Sequence, residues 1–217
     1  MVTRRAAGEP LEQVIGWAGF CGQRIVVQPG VFVPRRRTEF LVHCAVDLAA
    51  PGAVIVDLCC GAGAIGAALA AAVERAEVHA ADIDPAAVRC ARQNLPAGHV
   101  YQGDLYEPLP AGLRGRVAIL TANVPYVPTG QIGFLPSEAR VHEPRTALDG
   151  GRDGLDVLRR VAAGAPAWLA PGGHLLSEAS EDQAPLAEAV LASAGLVARV
   201  VTSEDEGATV VIGRRPG

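Results

Sequence analysis

The 217 residues are half hydrophobic, enough for one well-cored domain and too apolar for an intrinsically disordered chain. Nineteen basic residues, every one an arginine, face 23 acidic ones for a formal charge of −4. The absence of lysine excludes Schiff-base chemistry and a phosphate-cradling P-loop lysine, and the acidic balance argues against broad nucleic-acid binding.

Residues 1–12 read as polar and frayed, with no apolar signal-peptide core behind them. Two β-type runs, 24–27 and 31–33, are set off by Gly22 and Pro29-Gly30 and read as a hairpin. This places an N-terminal extension and hairpin at 1–36 and the main domain at 37–217. Thr38 then precedes a helix over 39–50, stopped by Pro51-Gly52. A buried-strand pattern at 54–58 runs into a glycine turn and an alanine-rich helix to about residue 74. A strand at 77–81, a helix at 85–94 with proline in its first turn, and strands at 99–102 and 117–122 follow.

Residues 124–150 carry four prolines and little periodicity, and a loop that long inside a compact domain is usually functional. Beyond it the pattern gives a helix at 154–169, a strand at 174–178, a helix at 183–194 and strands near 196–202 and 208–213. Strands alternating with helices predict an α/β fold with a mostly parallel, doubly wound sheet.

The five cysteines include no CxxC pair and the five histidines no ligand spacing, so neither a metal site nor a disulfide framework is expected. The long uncharged run 117–137 is interrupted by Asn123, Gln131 and three prolines, which makes it a poor membrane span. The expectation is a soluble, cytoplasmic protein with no membrane partner.

Two patterns carry chemistry. Gly61-Ala62-Gly63, between the 54–58 strand and its helix, lets a ligand approach the backbone closely. Asp82 ends the next strand, where a carboxylate can take both ribose hydroxyls of an adenosine ligand, a dinucleotide or S-adenosylmethionine. Asn123-Val124-Pro125-Tyr126 follows the 117–122 strand and lies over the same crevice. A proline-stiffened Asn turn explains that tetrapeptide alone, but the chain has only two asparagines, at 94 and 123, so Asn is not surface filler here.

With these residues the sequence resembles the HemK/PrmC family of protein-(glutamine-N5) methyltransferases, which carry Asn-Pro-Pro-Tyr at the end of their fourth strand. The resemblance runs over nearly the whole chain. It includes Val33-Pro34-Arg35, Thr38-Glu39, Asp57 to Ile65, Gly103-Asp104-Leu105, Glu143-Pro144, Asp153-Gly154-Leu155, Pro171-Gly172-Gly173 and Glu178. It departs at Val124, where the family has its first motif proline, and at Cys59-Cys60 in the glycine turn. Family members also carry a helical N-terminal docking domain, and only about a dozen residues precede the hairpin here; either such a domain is trimmed away or the chain is a divergent member, so release-factor recognition is not assumed.

The resemblance implies a Rossmann-like class I methyltransferase with a seven-stranded sheet and an N-terminal β-hairpin. S-adenosylmethionine would be the cofactor and S-adenosylhomocysteine the product. The implied cofactor residues are Cys59, Cys60, Gly61, Ala62, Gly63, Asp82, Ile83, Asp104, Leu105 and Asn123. Asp82 would hold the ribose, with Asp104 and Leu105 flanking the adenine. Asn123, Val124, Pro125 and Tyr126 would bind the substrate amide, with Asn123 and Tyr126 catalytic. The implied partner is a protein bearing a glutamine, a translation release factor among the candidates. Two other readings remain at this point. One is an amino methyltransferase acting on adenine or cytosine in nucleic acid, and the other is a cofactor-binding homologue that has lost catalysis.

Other residues take structural readings. Arg36 and Arg37 read as a solvated turn, Glu143 as an acceptor tying down the long loop, and Trp17 and Trp168 as packing residues.

Overall fold

The computed structural model describes all 217 residues. It opens with two short helices, α1 (Val2–Ala6) and α2 (Leu11–Ile15), where a frayed end is expected from composition. Helices of five residues do not persist alone. Here Gln13 and Val14 are buried, and Gln13 Nε2 donates to the Val31 carbonyl at 2.9 Å, so a tertiary contact holds the segment.

The hairpin is present but lies earlier in the chain than expected. β1 (Trp17–Phe20) pairs antiparallel with β2 (Gln23–Val26), Trp17 opposite Val26. Cys21 and Gly22 both have positive φ, the conformation whose twist suits a two-residue hairpin turn. Residues 31–33 form no strand, although Val31 and Val33 are buried. Arg24 lies over the Trp17 ring at 4.5 Å, so Trp17 is a hairpin packing residue.

The main sheet has the order β5-β4-β3-β6-β7-β9-β8. Its strands are β3 (Val54–Leu58), β4 (Glu77–Asp82), β5 (His99–Gln102), β6 (Val117–Ala122), β7 (Leu169–Ala179), β8 (Val197–Ser203) and β9 (Ala208–Arg214). The first five run parallel, and β9 pairs antiparallel with both β7 and β8. All five residues of β3 are buried, Asp57 among them, as a mostly apolar run covered on both faces should be. Ile55 faces the core formed with α3 (Glu39–Leu48), α4 (Ala64–Ala72) and α5 (Pro85–Asn94). Val54, Val56 and Leu58 face the opposite core, with α7 (Asp156–Trp168) and α8 (Ala184–Ser193). Trp168 is buried in that core and stacks on Tyr106. α5 starts at Pro85 behind an Asp84 cap that accepts the Ala86 N–H at 2.7 Å.

The segment 124–150 is not featureless. It contains 3-10 turns at Thr129–Phe134 and Arg145–Ala147, with α6 (Ser137–His142) between them. Its ends are pinched together, Val127 N donating to Leu148 and Gly150 N donating to Val127. Glu143 anchors it as expected. Its buried carboxylate accepts the Val33 N–H at 3.2 Å and both oxygens meet Arg35 Nη2, at 2.7 and 2.6 Å. No helix is long and apolar enough to cross a membrane.

Candidate active site

The chain crosses from one side of β3 to the other when it enters β6, and the carboxyl ends of β3, β4 and β6 open into one crevice. Open α/β sheets bind ligands at such a switch point. The crevice here is a cleft of about 1130 Å³, roofed by the 124–150 loop and walled by the segment after the hairpin.

Cys59, Cys60, Gly61 and Ala62 line the floor after β3. Gly61 has φ +54 and open space where a Cβ would stand, so glycine is required by the backbone and leaves room for a ligand. Gly63 is not among the residues lining the cleft, although Ala62 and Ala64 on either side of it are. It caps α4 with φ +78, and a Cβ there would meet Ala91 at 3.0 Å, so this glycine serves helix packing. Burial raises the pKa of both the Cys59 and Cys60 thiols, which therefore stay protonated packing groups.

Asp82 ends β4 at the cleft wall beside the exposed Ile83. Its Oδ2 accepts the Gly61 N–H at 2.8 Å and its Oδ1 the Asp84 N–H at 2.9 Å. The same carboxylate thus shapes the glycine turn and faces the ligand space. Burial raises its pKa, with the two N–H donors pulling the other way. Asp104 and Leu105 line the cleft after β5. Asp104 is paired with Arg160 at 2.7 Å, and Leu105 sits in the left-handed region at φ +49.

Behind the turn, Asp57 is fully buried. It accepts from Thr121 Oγ1 at 2.9 Å and from the Gly66 N–H at 3.1 Å, joining β3, β6 and α4. Burial pushes its carboxyl up to about 7.

Asn123, Val124, Pro125 and Tyr126 all line the cleft at the end of β6. Neither Asn123 Oδ1 nor the Val124 carbonyl takes a hydrogen bond from the chain. Two bare acceptors from adjacent residues thus lie at one strand end. Tyr126 is pushed up to about 12, by burial first and then by the Glu178 charge. It is a neutral phenol at physiological pH and no general base.

Three residues around this motif are given no role by sequence reasoning. Arg37 is presented by the sequence as a solvated turn residue. It does lie exposed in the 3-10 turn Arg36–Thr38, but its Nε also donates to Glu178 Oε1 at 2.7 Å and its Nη2 to the Tyr126 hydroxyl, a role that reading lacks. Glu178, at the end of β7, is 4 % exposed and also accepts from Thr38 Oγ1 at 2.5 Å and from Tyr126 at 3.2 Å. Thr38 precedes α3 without capping it. Its hydroxyl lies 3.5 Å from Asn123 Nδ2. The signal that could have found Glu178 is a carboxylate in the run 175–179, where the residues beside it are leucines, a serine and an alanine.

Comparison with known proteins fits this geometry. Residues 22–131 match the methyltransferase small domain model. The chain is 36 % identical over 221 residues to the release factor glutamine methyltransferase of Geobacter sulfurreducens, covering 100 % of this chain and 77 % of that protein. The chain belongs to the release factor glutamine methyltransferase family. A second member of that family, from Streptomyces coelicolor, is 40 % identical over 84 % of this chain and 67 % of its own length. Among solved structures, a T. thermophilus 16S rRNA methyltransferase in complex with AdoMet and guanosine shares the fold. It has a TM-score of 0.66 and 20 % identity, over 92 % of this chain and 49 % of that one. Nucleic-acid methylation therefore shares this architecture, and it is sequence identity that places the chain among the glutamine methyltransferases. S-adenosylmethionine is the cofactor of the fold, and the residues present suit it: an open glycine turn and a carboxylate at the next strand end.

Proposed function

We propose that this chain methylates the side-chain amide nitrogen of a glutamine in a translation release factor. One observation carries the amide assignment, the pair of unpartnered acceptors formed by Asn123 Oδ1 and the Val124 carbonyl. A primary amide presents two N–H donors in one plane, and two adjacent acceptors match it.

In this reading Asp82 holds the ribose, Ile83 and Leu105 offer apolar surface to the adenine, and the Gly61-Ala62 turn lies along the methionine end. The bound cofactor supplies a methyl group on a positively charged sulfur. The chain's own residues do the rest by orientation and electrostatics. An amide nitrogen is a poor nucleophile because its lone pair is shared with the carbonyl. Asn123 and Val124 hold both N–H groups, aim the nitrogen, and stabilise the positive charge that grows on it. The nitrogen's proton becomes acidic only as the new N–C bond forms, so no strong base is needed, in keeping with a neutral Tyr126. The Tyr126 ring forms a wall beside the amide plane.

The test is labelled methyl transfer to a flexible peptide holding glutamine between small residues, to the same peptide with glutamate, and to single-stranded DNA and RNA, each at two salt concentrations. Label is expected in the glutamine peptide alone, with weak salt dependence. Label in nucleic acid, lost steeply as salt rises, and none in the peptide would overturn the amide reading.

A further inference from the structure

We infer that Glu178 and Thr38 set the substrate class by fixing which end of the Asn123 amide faces the cleft. The inference rests on the glutamine reading above and concerns residues outside the motif that carries it.

The argument is one of hydrogen-bond polarity. Glu178 is buried beside Arg37, whose Nε donates to it at 2.7 Å, so its carboxylate is an acceptor only. Thr38 Oγ1 lies 2.5 Å from Glu178 Oε2, so the single hydroxyl proton of Thr38 is committed to that contact. What remains on Thr38 is a lone pair, which can only accept. The side-chain group of Asn123 placed toward it, at 3.5 Å, is the NH₂ end, the end that an accepting hydroxyl favours. Oδ1 is left on the opposite side of the amide, where no donor of the chain meets it. An Asn amide has nearly the same shape in both orientations, so packing alone distinguishes them poorly. The chain Glu178, Thr38, Asn123 distinguishes them by donor and acceptor chemistry. With Oδ1 outward the site accepts from the NH₂ of glutamine. With Nδ2 outward it would donate to an oxygen and would suit a carboxylate or a carbonyl.

Thr38 and Glu178 are therefore positioning residues, joined across 140 residues of sequence by the meeting of the α3 start with the end of β7. The same carboxylate accepts from Tyr126 and pairs with Arg37, which itself donates to Tyr126, so both side chains of the motif that face the substrate are referenced to Glu178.

The test compares wild type with Thr38→Val, Thr38→Ser and Glu178→Gln, each checked for cooperative thermal unfolding. Thr38→Val removes the acceptor at nearly constant volume, and Thr38→Ser keeps it. Glu178→Gln lets the new amide donate to Thr38, whose hydroxyl can then donate to Asn123 Oδ1 and turn the amide round. The readouts are steady-state methyl transfer to the glutamine peptide, affinity for glutamine and glutamate peptides with S-adenosylhomocysteine bound, and the side-chain amide signals of asparagine-labelled protein. Because the chain has only two asparagines, those signals comprise only the Asn94 and Asn123 pairs.

Thr38→Val and Glu178→Gln are expected to narrow the preference for the glutamine peptide roughly tenfold or more, with a higher KM and lower kcat and with S-adenosylmethionine affinity within about twofold of wild type. Thr38→Ser should restore the preference, and the Asn123 signals should move in the first two variants only. Wild-type selectivity in Thr38→Val, or in Glu178→Gln if the valine variant does not fold, would overturn the inference. A wild-type protein that does not favour glutamine over glutamate would instead overturn the functional reading, and the Asn123 signals would still report whether Thr38 orients that amide.

Discussion

Asn94 and Val26 exchange two hydrogen bonds, the Val26 N–H donating to Asn94 Oδ1 and Asn94 Nδ2 donating to the Val26 carbonyl, both at 2.9 Å. The asparagine side chain thus imitates a neighbouring strand at the end of β2. Nδ2 also donates to the Ala62 carbonyl at 2.8 Å, so the last residue of α5 ties the hairpin to the glycine turn.

Asn94→Ala leaves three main-chain groups without that partner and should destabilise the protein by about 1–3 kcal/mol. For a chain of this size the midpoint should fall by several degrees. Cofactor affinity should fall with it, because Ala62 lies on the cleft floor. Thermal unfolding and calorimetric titration check both, and an unchanged midpoint would remove Asn94 as a tie.

Asp82→Ala should weaken S-adenosylmethionine binding by about 1.5–3 kcal/mol, the usual worth of hydrogen bonds to a charged group. Part of the loss comes from the Gly61 turn, which loses its acceptor. Calorimetric titration showing wild-type affinity would take Asp82 out of the site.

Asn123→Ala should slow methyl transfer by roughly 10²-fold or more, as the loss of one preorganised polar contact does. Cofactor affinity should change far less, since the substitution removes the acceptor for the substrate amide. Comparison of kcat with the titrated affinity separates the roles, and equal losses in both would make Asn123 a cofactor-loop residue.

Asp57 governs a pH dependence. Its folded-state pKa is raised to about 7 by burial, above the ordinary carboxylate value. The folded state therefore holds a proton that the unfolded chain has already released near pH 4. The resulting stability is fully present below that pH and is lost as pH rises through about 7. Asp57→Asn can still accept from Gly66 and can donate to Thr121, so it should remove this dependence. Between pH 5 and 8 the wild type should lose about 2 kcal/mol more stability than the variant. Denaturant unfolding at several pH values decides it, and parallel curves would mean that Asp57 is already ionised in the fold.

The alternation of strands and helices, the glycine turn after β3 and the placement of Asn123 at a strand end were all legible in the amino-acid order. Each follows from local rules: apolar runs such as 54–58 can only be buried strands or short helices, proline and glycine punctuate them, and a motif after a parallel strand falls at its carboxyl end. The hairpin was legible as a motif and misplaced in register, because two turn signals compete and only the burial of Phe20 and Ile25 in the α3–α5 core selects the first. What the tertiary structure alone decided is which polar groups meet. Arg37 and Glu178 are 141 residues apart, Arg35 and Glu143 108, and Asn94 and Val26 68. No periodicity connects such pairs, because a charged side chain takes whatever partner the packed sheet and its crossovers bring within reach. For the same reason Gly63, one residue from the cleft floor, turned out to face α5: a left-handed residue reverses the direction of the chain, and which side then meets a helix is settled only by packing.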